Sequence, residues 1–537
     1  MSRHIITGAR IFTADQRRYA DALVVDGDRF LYVGDADTAR RVAGPDASTE
    51  DLGGALVLPG FVDAHAHVVG TGEVASFVDL WGADDLAEVQ RRIAAGSAAD
   101  PEAPRVRAHG FQHGAVPGGI PHRAQLDTIV PDRPVYVQAY DFHSIWLNTA
   151  ALAECGITDE TPNPPGGTIH RDADGTATGY IDETAMHRYV WPFLDGTTTD
   201  ASRDADLQAV LAGYRERGVT AATDMAMNAD DLAALRRAEQ NGTLTVRVAA
   251  HWRVQPTGNE ADNLAQVENV KTLAAAQGSD LLRVIGIKVM IDGTVDGCTA
   301  AIGFPYADGT SADPIWSLDE LAPVVIAADA AGLQVAMHAI GDEAVRIGIA
   351  AVEAAVAANG PISRRHRIEH LEVVDRADID RLAALGITAS MQPVHADPAI
   401  QDNWREKLGD PARIDYGFPW TEMTDAGAPL AFGTDSPTSD YDPLPNMFVA
   451  ATRRSALDPS LPANTPRFAV PLIQSIEHAT RDAARASRAE DRYGRIAAGL
   501  CADFIVLDRD VTQLDPEELL QASVVRTVLG GETIHTR

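Results

Sequence analysis

Two histidines separated by one residue follow an apolar run, and this arrangement constrains the fold more than any other feature. His65-Ala-His67 follows the run at residues 55–63, with only Ala64 between them. In a strand, side chains at positions i and i+2 point to the same face. A strand that is apolar on both faces is typical of a parallel sheet covered on both sides, and its carboxyl end marks the mouth of an α/β barrel. We therefore predict a shared metal site, although a chance pair among 16 histidines remains open.

Composition excludes several classes of partner. The net charge is −32, whereas nucleic acid and anionic membranes require a basic surface. Cys155, Cys298 and Cys501 lie far apart, which favours a reducing cytoplasm over a disulfide framework. The first residues lack the apolar core of a signal peptide, and no apolar run is long enough to span a membrane. We expect a cytoplasmic protein that acts on a small molecule.

Strand and helix patterns alternate from residue 219 onward, which predicts an α/β TIM (β/α)8 barrel. We predict a small β-sandwich from residues 1–57 and 490–537. The barrel takes residues 58–72 and 219–489, and residues 73–218 form an inserted subdomain that covers the active site. After the strand that ends at His65, the other barrel strands are predicted at 219–224, 245–251, 282–291, 333–338, 366–371, 387–392 and 429–435. The clearest helices are predicted at 319–331, 342–358, 375–385 and 471–487.

Lys288 is unusual because it lies within an apolar strand. The chain has only three lysines among 45 lysine and arginine residues. A buried lysine can be neutral, whereas an arginine cannot. A neutral amine can capture carbon dioxide as a carbamate, which is an anionic oxygen ligand. The alternative is an ion pair between Lys288 and Asp292 or another carboxylate.

Further polar residues stand at the ends of later strands. These are His338, His370 and Asp435. Each has a simpler interpretation on its own, such as a helix cap or an Asx turn. Together with His65, His67 and Lys288, they place six residues of metal-ligand type at five predicted strand ends.

The strand ends that carry these residues, with several other segments, resemble the amidohydrolase superfamily. Within it they resemble the amidohydrolase-3 branch, which includes N-substituted formamide deformylases. The resemblance covers essentially the whole sequence, including a sandwich built from both termini. The segments that carry it are Pro-Gly-Phe-Val-Asp-Ala-His-Ala-His at 59–67, residues 141–152, residues 286–293, residues 338–342 and residues 494–508.

The resemblance implies a binuclear metal centre. His65, His67 and Asp435 would hold one ion, His338 and His370 the second, and carboxylated Lys288 would bridge them. Two Zn²⁺ ions per chain are expected, and Mn²⁺, Fe²⁺ or Ni²⁺ also suit these ligands. A metal-bound hydroxide would attack the substrate carbonyl, with Asp435 as general base and then general acid. The resemblance also favours a homodimer.

The sequence constrains the residues of the substrate pocket less than it constrains the metal ligands. The resemblance implies that His143 contacts the substrate, and Trp81, Phe111 and Met290 are candidates for an apolar wall, each with the alternative of a core position. The predicted function is hydrolysis of a non-peptide C–N bond in a small organic amide. Alternatives are a mononuclear deaminase, an esterase or lactonase, and a scaffold without activity.

Overall fold

The computed structural model describes residues 3–276 and 278–537, and its centre is a barrel of eight parallel strands. Each strand pairs with the next in parallel register. The first and last strands meet where Asp435 N donates to His65 O over 2.7 Å and His67 N donates to Ser436 O over 2.8 Å. The predicted TIM barrel is thus confirmed. Its strands are β1 Phe61–Ala66, β2 Val219–Met227, β3 Arg247–Arg253, β4 Leu282–Met290, β5 Gln334–Ala339, β6 Arg367–His370, β7 Thr388–Met391 and β8 Leu430–Phe432.

Amphipathic helices cover the outside of the barrel. They bury their apolar faces against the strands, as three of the predicted helices do within a residue or so of their expected bounds. The predicted helix at 471–487 is instead two helices, because Thr480 has a non-helical backbone (φ −134°, ψ −89°). The main helices are Asp200–Arg217, Ala229–Gln240, Glu260–Ala275, Leu318–Ala330, Asp342–Asn359, Arg376–Ala384, Asp402–Leu408, Pro411–Asp415, Trp420–Asp425, Pro443–Thr452, Leu472–His478 and Arg481–Ala486.

The apolar run before His65 forms two strands rather than one. Leu56–Pro59 belongs to the sandwich, and β1 begins at Phe61. The break is at Gly60, where a Cβ would lie 2.1 Å from Oγ1 of Thr220. Close approach of β2 at this point therefore requires glycine, and the chain passes directly from sandwich to barrel.

The two termini combine in the sandwich. One sheet has four strands and the other has six, and their facing sides enclose a separate apolar core. The first sheet contains His4–Thr7, Ala22–Asp26, Arg29–Gly34 and Ser48–Asp51, with helix Ala36–Ala43 packed on it, and the second contains Arg10–Phe12, Tyr19–Ala20, Leu56–Pro59, Phe504–Leu507, Val524–Leu529 and Glu532–Thr536.

The long connection between β1 and β2 carries its own six-stranded sheet and core. It contributes residues to the wall of the cavity at the carboxyl ends of the barrel strands. Within the described residues, no helix has the length and apolar character needed to cross a bilayer. The insert contains strands Val78–Asp79, Val106–Phe111, Val135–Ala139, Ser144–Leu147, Ile169–Arg171 and Ala177–Asp182, and helices Val68–Val74, Leu86–Ala99, Arg123–Asp127, Thr149–Glu154, Glu183–Ala185, Met186–Val190 (a π-helix) and Trp191–Thr197.

Candidate active site

His65, near the end of β1, is oriented by a buried carboxylate. His65 Nδ1 lies 2.7 Å from Oε2 of Glu369, and because a carboxylate only accepts, Nδ1 carries the proton and donates. Nε2 of His65 lies 3.2 Å from Oδ1 of Asp435, and in the neutral imidazole this nitrogen has the lone pair that a metal ion would bind. His67 Nε2 lies 3.3 Å from the same oxygen. A histidine held through one nitrogen and free at the other is the usual arrangement of a metal ligand.

Asp435 lies at the centre of the cluster. Donor atoms of His65, His370 and Asp435 all lie within 4.8 Å of one another, and all three residues are buried. Burial alone would raise the pKa of Asp435, but His65, His67 and His370 beside it hold that pKa well below its ordinary value. Asp435 is therefore ionised at neutral pH.

His338 and His370 complete the group of imidazoles. Their ring centres are 4.4 Å apart. His338 Nε2 donates to the carbonyl of Gly293 over 3.1 Å, so its Nδ1 has a free lone pair. His370 Nδ1 is buried without a hydrogen-bond partner among the described residues. Burial lowers the pKa of both histidines well below the ordinary value, which keeps them neutral, as a metal ligand must be.

Lys288 approaches the same point from β4. Its side chain is buried, with Nζ 3.5 Å from Nε2 of His65, and within residues 3–276 and 278–537 no carboxylate lies within 4.0 Å of it. The alternative of an ion pair with Asp292 is wrong, because that carboxylate accepts from the backbone N–H groups of residues 301, 340 and 341. Burial lowers the pKa of Lys288 to about 8. A fraction of the amine is therefore neutral near physiological pH.

A cavity of about 400 Å³ opens from this cluster. That volume suits a small organic ligand. His143 and Met290 both line it. The His143 ring lies 4.8 Å from the ring of His338, and its Nδ1 donates to Glu183 over 3.0 Å. Burial opposes charge on His143, but the Glu183 carboxylate outweighs burial and raises the pKa of His143 to about 9.

Comparison with known proteins places this site in a family. Residues 48–535 match the amidohydrolase family. The chain belongs to the amidohydrolase family. This amidohydrolase is 29% identical to the putative amidohydrolase YtcJ of Bacillus subtilis, covering 92% of this chain and 91% of that protein. It is 28% identical to an N-substituted formamide deformylase of Arthrobacter pascens, over 98% of this chain and 97% of the other. A crystal structure of an uncharacterized metal-dependent hydrolase from Pyrococcus horikoshii has a TM-score of 0.76 at 26% identity, covering 96% of this chain and 99% of that one.

The predicted site residues of this amidohydrolase fall into two groups: those that line the cavity and those that do not. The six ligand-type side chains gather at one point, and His143 and Met290 line the cavity with them. Trp81 and Phe111 do not line it. The Phe111 ring packs against Trp146 at 5.4 Å in the core of the insert, and Trp81 lies edge-on to Tyr140 at 5.8 Å. Their sequence positions could not distinguish a core ring from a pocket ring, because both are apolar environments.

Glu369, Arg367 and Glu183 were not assigned from the sequence, whereas His395 was expected to face the site without binding metal and Asp63 was a candidate for supporting His65. Glu369 and Arg367 alternate along β6, so a same-face pattern was available as a signal. Glu183 gives no such signal, since it reaches His143 across 40 residues of chain. His395 faces the site, with Nε2 3.7 Å from Oδ2 of Asp435. Asp63 accepts hydrogen bonds from Thr434 and so anchors the end of β8 to β1.

Proposed function

We propose that this amidohydrolase cleaves an amide-type C–N bond of a small organic molecule with the help of divalent metal ions. The observation that carries the proposal is the convergence of four histidines, Asp435 and Lys288 at one end of the barrel. This end opens into a cavity of suitable size. Membership of the amidohydrolase family already indicates a hydrolase that acts on C–N bonds.

The donor set fits a metal. Neutral imidazoles and an ionised carboxylate form a mixed nitrogen and oxygen set that suits Zn²⁺, and also Mn²⁺, Fe²⁺ or Ni²⁺. The Nδ1 atom of His370 is buried without a hydrogen-bond partner among the described residues, and Nζ of Lys288 has only the 3.5 Å contact with Nε2 of His65 and no carboxylate partner there. Such groups are costly to bury unless something binds them. We propose that His65, His67 and Asp435 hold one ion, that His338 and His370 hold a second, and that a carbamate on Lys288 joins them.

The chain's own groups then have separate tasks. When bound, divalent ions supply Lewis acidity that lowers the pKa of water and polarises a carbonyl. Ionised Asp435 accepts the proton of the attacking water at a carboxylate oxygen and passes it to the departing nitrogen. His143 has Nδ1 committed to Glu183 and presents Nε2 to the cavity, where a proton on it can be donated to a substrate oxygen. The products are a carboxylic acid and an amine.

A panel of substrates tests this proposal. Metal-reconstituted protein is offered N-formyl, N-acyl, cyclic-imide, ester and aminated-ring compounds, and release of amine, ammonia and acid is measured separately. We expect amine release from an amide, abolished in Asp435→Asn. Ammonia release from an aminated ring would instead support the mononuclear deaminase, and ester cleavage alone would support the esterase or lactonase. If no amide is cleaved by metal-loaded protein, the proposal fails.

The N-formyl compounds are included because one relative is named as a deformylase of N-substituted formamides. The homodimer stays a prediction, and light scattering of the purified protein measures it directly. Location in the cytoplasm likewise stays a prediction.

A further inference from the structure

One wall of the cavity carries an arginine without an acidic partner. Arg253 is the last residue of β3 and stands in register with Lys288 on β4. Neighbouring strands lie about 4.8 Å apart, so the backbone of Arg253 lies one strand spacing from that of Lys288. Arg253 lines the same cavity as the proposed metal ligands.

Among residues 3–276 and 278–537, the hydrogen-bond partners of the Arg253 guanidinium are neutral. Nη1 lies 3.3 Å from Nδ1 of His187. With the Gln255 amide oriented oxygen inward, Nε and Nη2 donate to it over 3.0 and 2.6 Å. Among the residues that the structure describes, no carboxylate lies within 4.0 Å of this guanidinium.

The nearby acids form no ion pair with Arg253, although they line the same cavity. Asp195 and Asp231 are the carboxylates whose charge acts on it most. Asp195 is on the wall of this cavity, where burial raises the pKa of its carboxyl above the ordinary value. Asp231 lies 3.6 Å from Nε of Arg203, which shares its charge. Glu73, on the same cavity wall, forms an ion pair with Arg107. The positive charge of Arg253 is therefore available to an anion that enters the cavity.

The facing element has an unusual backbone. Met186–Val190 forms a single π-helical turn, a rare conformation that is frequent at functional sites. This turn and the residue after it bring His187 and Trp191 to the cavity, with ring centres 4.5 Å apart. The Arg253 guanidinium lies 5.7 Å from the Trp191 ring. A planar cation beside an aromatic ring can bind a carboxylate and an apolar group together.

We propose that Arg253, supported by His187 and Gln255, binds a carboxylate on the substrate, and that Trp191 packs against an apolar group next to it. The substrate class is then an amide that also carries a carboxylate, such as an N-acylated amino acid. This inference rests on the proposed function, because it names the substrate class of the same site.

Matched substrates test the role of Arg253. N-acetylphenylalanine and N-acetylphenethylamine share the scissile bond and the ring and differ by the carboxylate. Loss of a charged hydrogen bond is expected to lower the preference for the acid, as a ratio of kcat/KM values, by about 10- to 100-fold in Arg253→Met. The change should lie mainly in KM, and Arg253→Lys should recover part of it. Arg188→Met removes a neighbouring exposed cation that is not on the cavity wall, and the preference should not change.

A binding measurement separates this inference from the proposed function. Calorimetry with 3-phenylpropionate compares metal-loaded wild-type protein, Arg253→Met and Arg188→Met, with metal content measured for each. We expect about 10-fold or greater weakening only in Arg253→Met. Equal affinity in all three proteins, or a wild-type preference for the uncharged amide, would overturn the inference even if amides are hydrolysed. Arg253-dependent binding without hydrolysis of any amide would retain the anion site and reject the proposed function.

Discussion

The Nδ1 atom of His65 donates to Oε2 of Glu369 over 2.7 Å, and both side chains are buried. Glu369 also receives Nε of Arg367 at 2.6 Å on its other oxygen. Arg367 in turn donates to the backbone carbonyl of Ala64 over 2.6 Å. Glu369 and Arg367 on β6 therefore fix the orientation of His65 on β1. The two strands are far apart in the chain.

Glu369→Gln tests this connection. The amide cannot compensate the charge of Arg367, so we expect a loss of about 3–5 kcal/mol in the free energy of unfolding. The orientation of His65 would also be lost, and metal affinity should fall about 10- to 100-fold. Denaturant titration and chelator competition measure the two effects. Glu353→Gln, which removes an exposed partner of Arg381, is the control and should cost less than about 1 kcal/mol. Normal metal affinity in Glu369→Gln would contradict the orienting role.

Lys288→Arg tests the proposed bridge. Arginine keeps the charge but cannot form a carbamate, so metal content should fall below the value of about two per chain expected for a two-metal site. Elemental analysis of the purified protein measures this. Lys271→Arg is the matched control, because Lys271 is exposed and paired with Glu268. Equal metal content and activity in wild type and Lys288→Arg would exclude the binuclear arrangement.

The carbamate itself has a separate test. Metal-free wild-type protein is reloaded with Zn²⁺ in buffer freed of carbon dioxide and in bicarbonate buffer. We expect full loading only with bicarbonate, because the amine of Lys288, whose pKa burial lowers to about 8, must first react with carbon dioxide. Identical loading in both buffers would mean that the unmodified lysine suffices.

Glu183→Gln tests the charge state of His143. The carboxylate raises the pKa of His143 to about 9 in the folded protein, against about 6.5 in an unfolded chain. The stabilisation from this pair is thus present in full below about pH 6.5 and is lost as the pH rises through 9. We expect kcat/KM to decline near pH 9 in wild type and at lower pH in Glu183→Gln, because burial then acts on His143 with less opposition. If the pH profiles of wild type and Glu183→Gln superimpose, the proton of His143 has no role in catalysis. Glu160→Gln, at an exposed position, is the control.

Gly433→Ala tests the closure of the barrel. A Cβ on Gly433 would lie 2.3 Å from the backbone nitrogen of His65 and 2.7 Å from its Cβ. Backbone cannot move aside as a flexible side chain can, so β8 would shift away from β1 at a cost of about 1–3 kcal/mol or more. Asp435 would move with β8, and metal content should fall together with the melting temperature. Gly196→Ala, where an added Cβ meets nothing within 4 Å, should change neither. Unchanged metal content in Gly433→Ala would mean that the close approach is not required.

The barrel was predictable because buried parallel strands and amphipathic helices leave periodic patterns in the sequence. All eight strand positions follow from those patterns, and the polar residues at strand ends indicated the site. Two boundaries were wrong for local reasons: Gly60 interrupts the first apolar run, and Thr480 interrupts the last helix. Neither residue breaks the hydrophobic pattern, so periodicity could not reveal the interruptions.

The backbone at the ligands required the structure. Strand alternation would send Glu369 and His370 to opposite faces, yet both reach the site because His370 has a positive φ of 75°. Asp435 likewise has a positive φ, of 59°. Positive φ values of non-glycine residues occur where the surrounding structure imposes them, often at functional sites. The residue types at these two positions, histidine and aspartate, do not predict a positive φ.

The sequence by itself determined the barrel, because the periodicity of buried strands and helices is a local property, and strand-end chemistry made the six ligand-type residues candidates. Only the tertiary structure decided which partners those residues have. Lys288 has no acidic partner in the described part of the chain, and His65 has one in Glu369. Both outcomes depend on strands that are distant in the sequence. The same holds for the cavity: Phe111 packs in the core, whereas Arg253 faces the opening, because side-chain direction follows from how the insert and the barrel pack together.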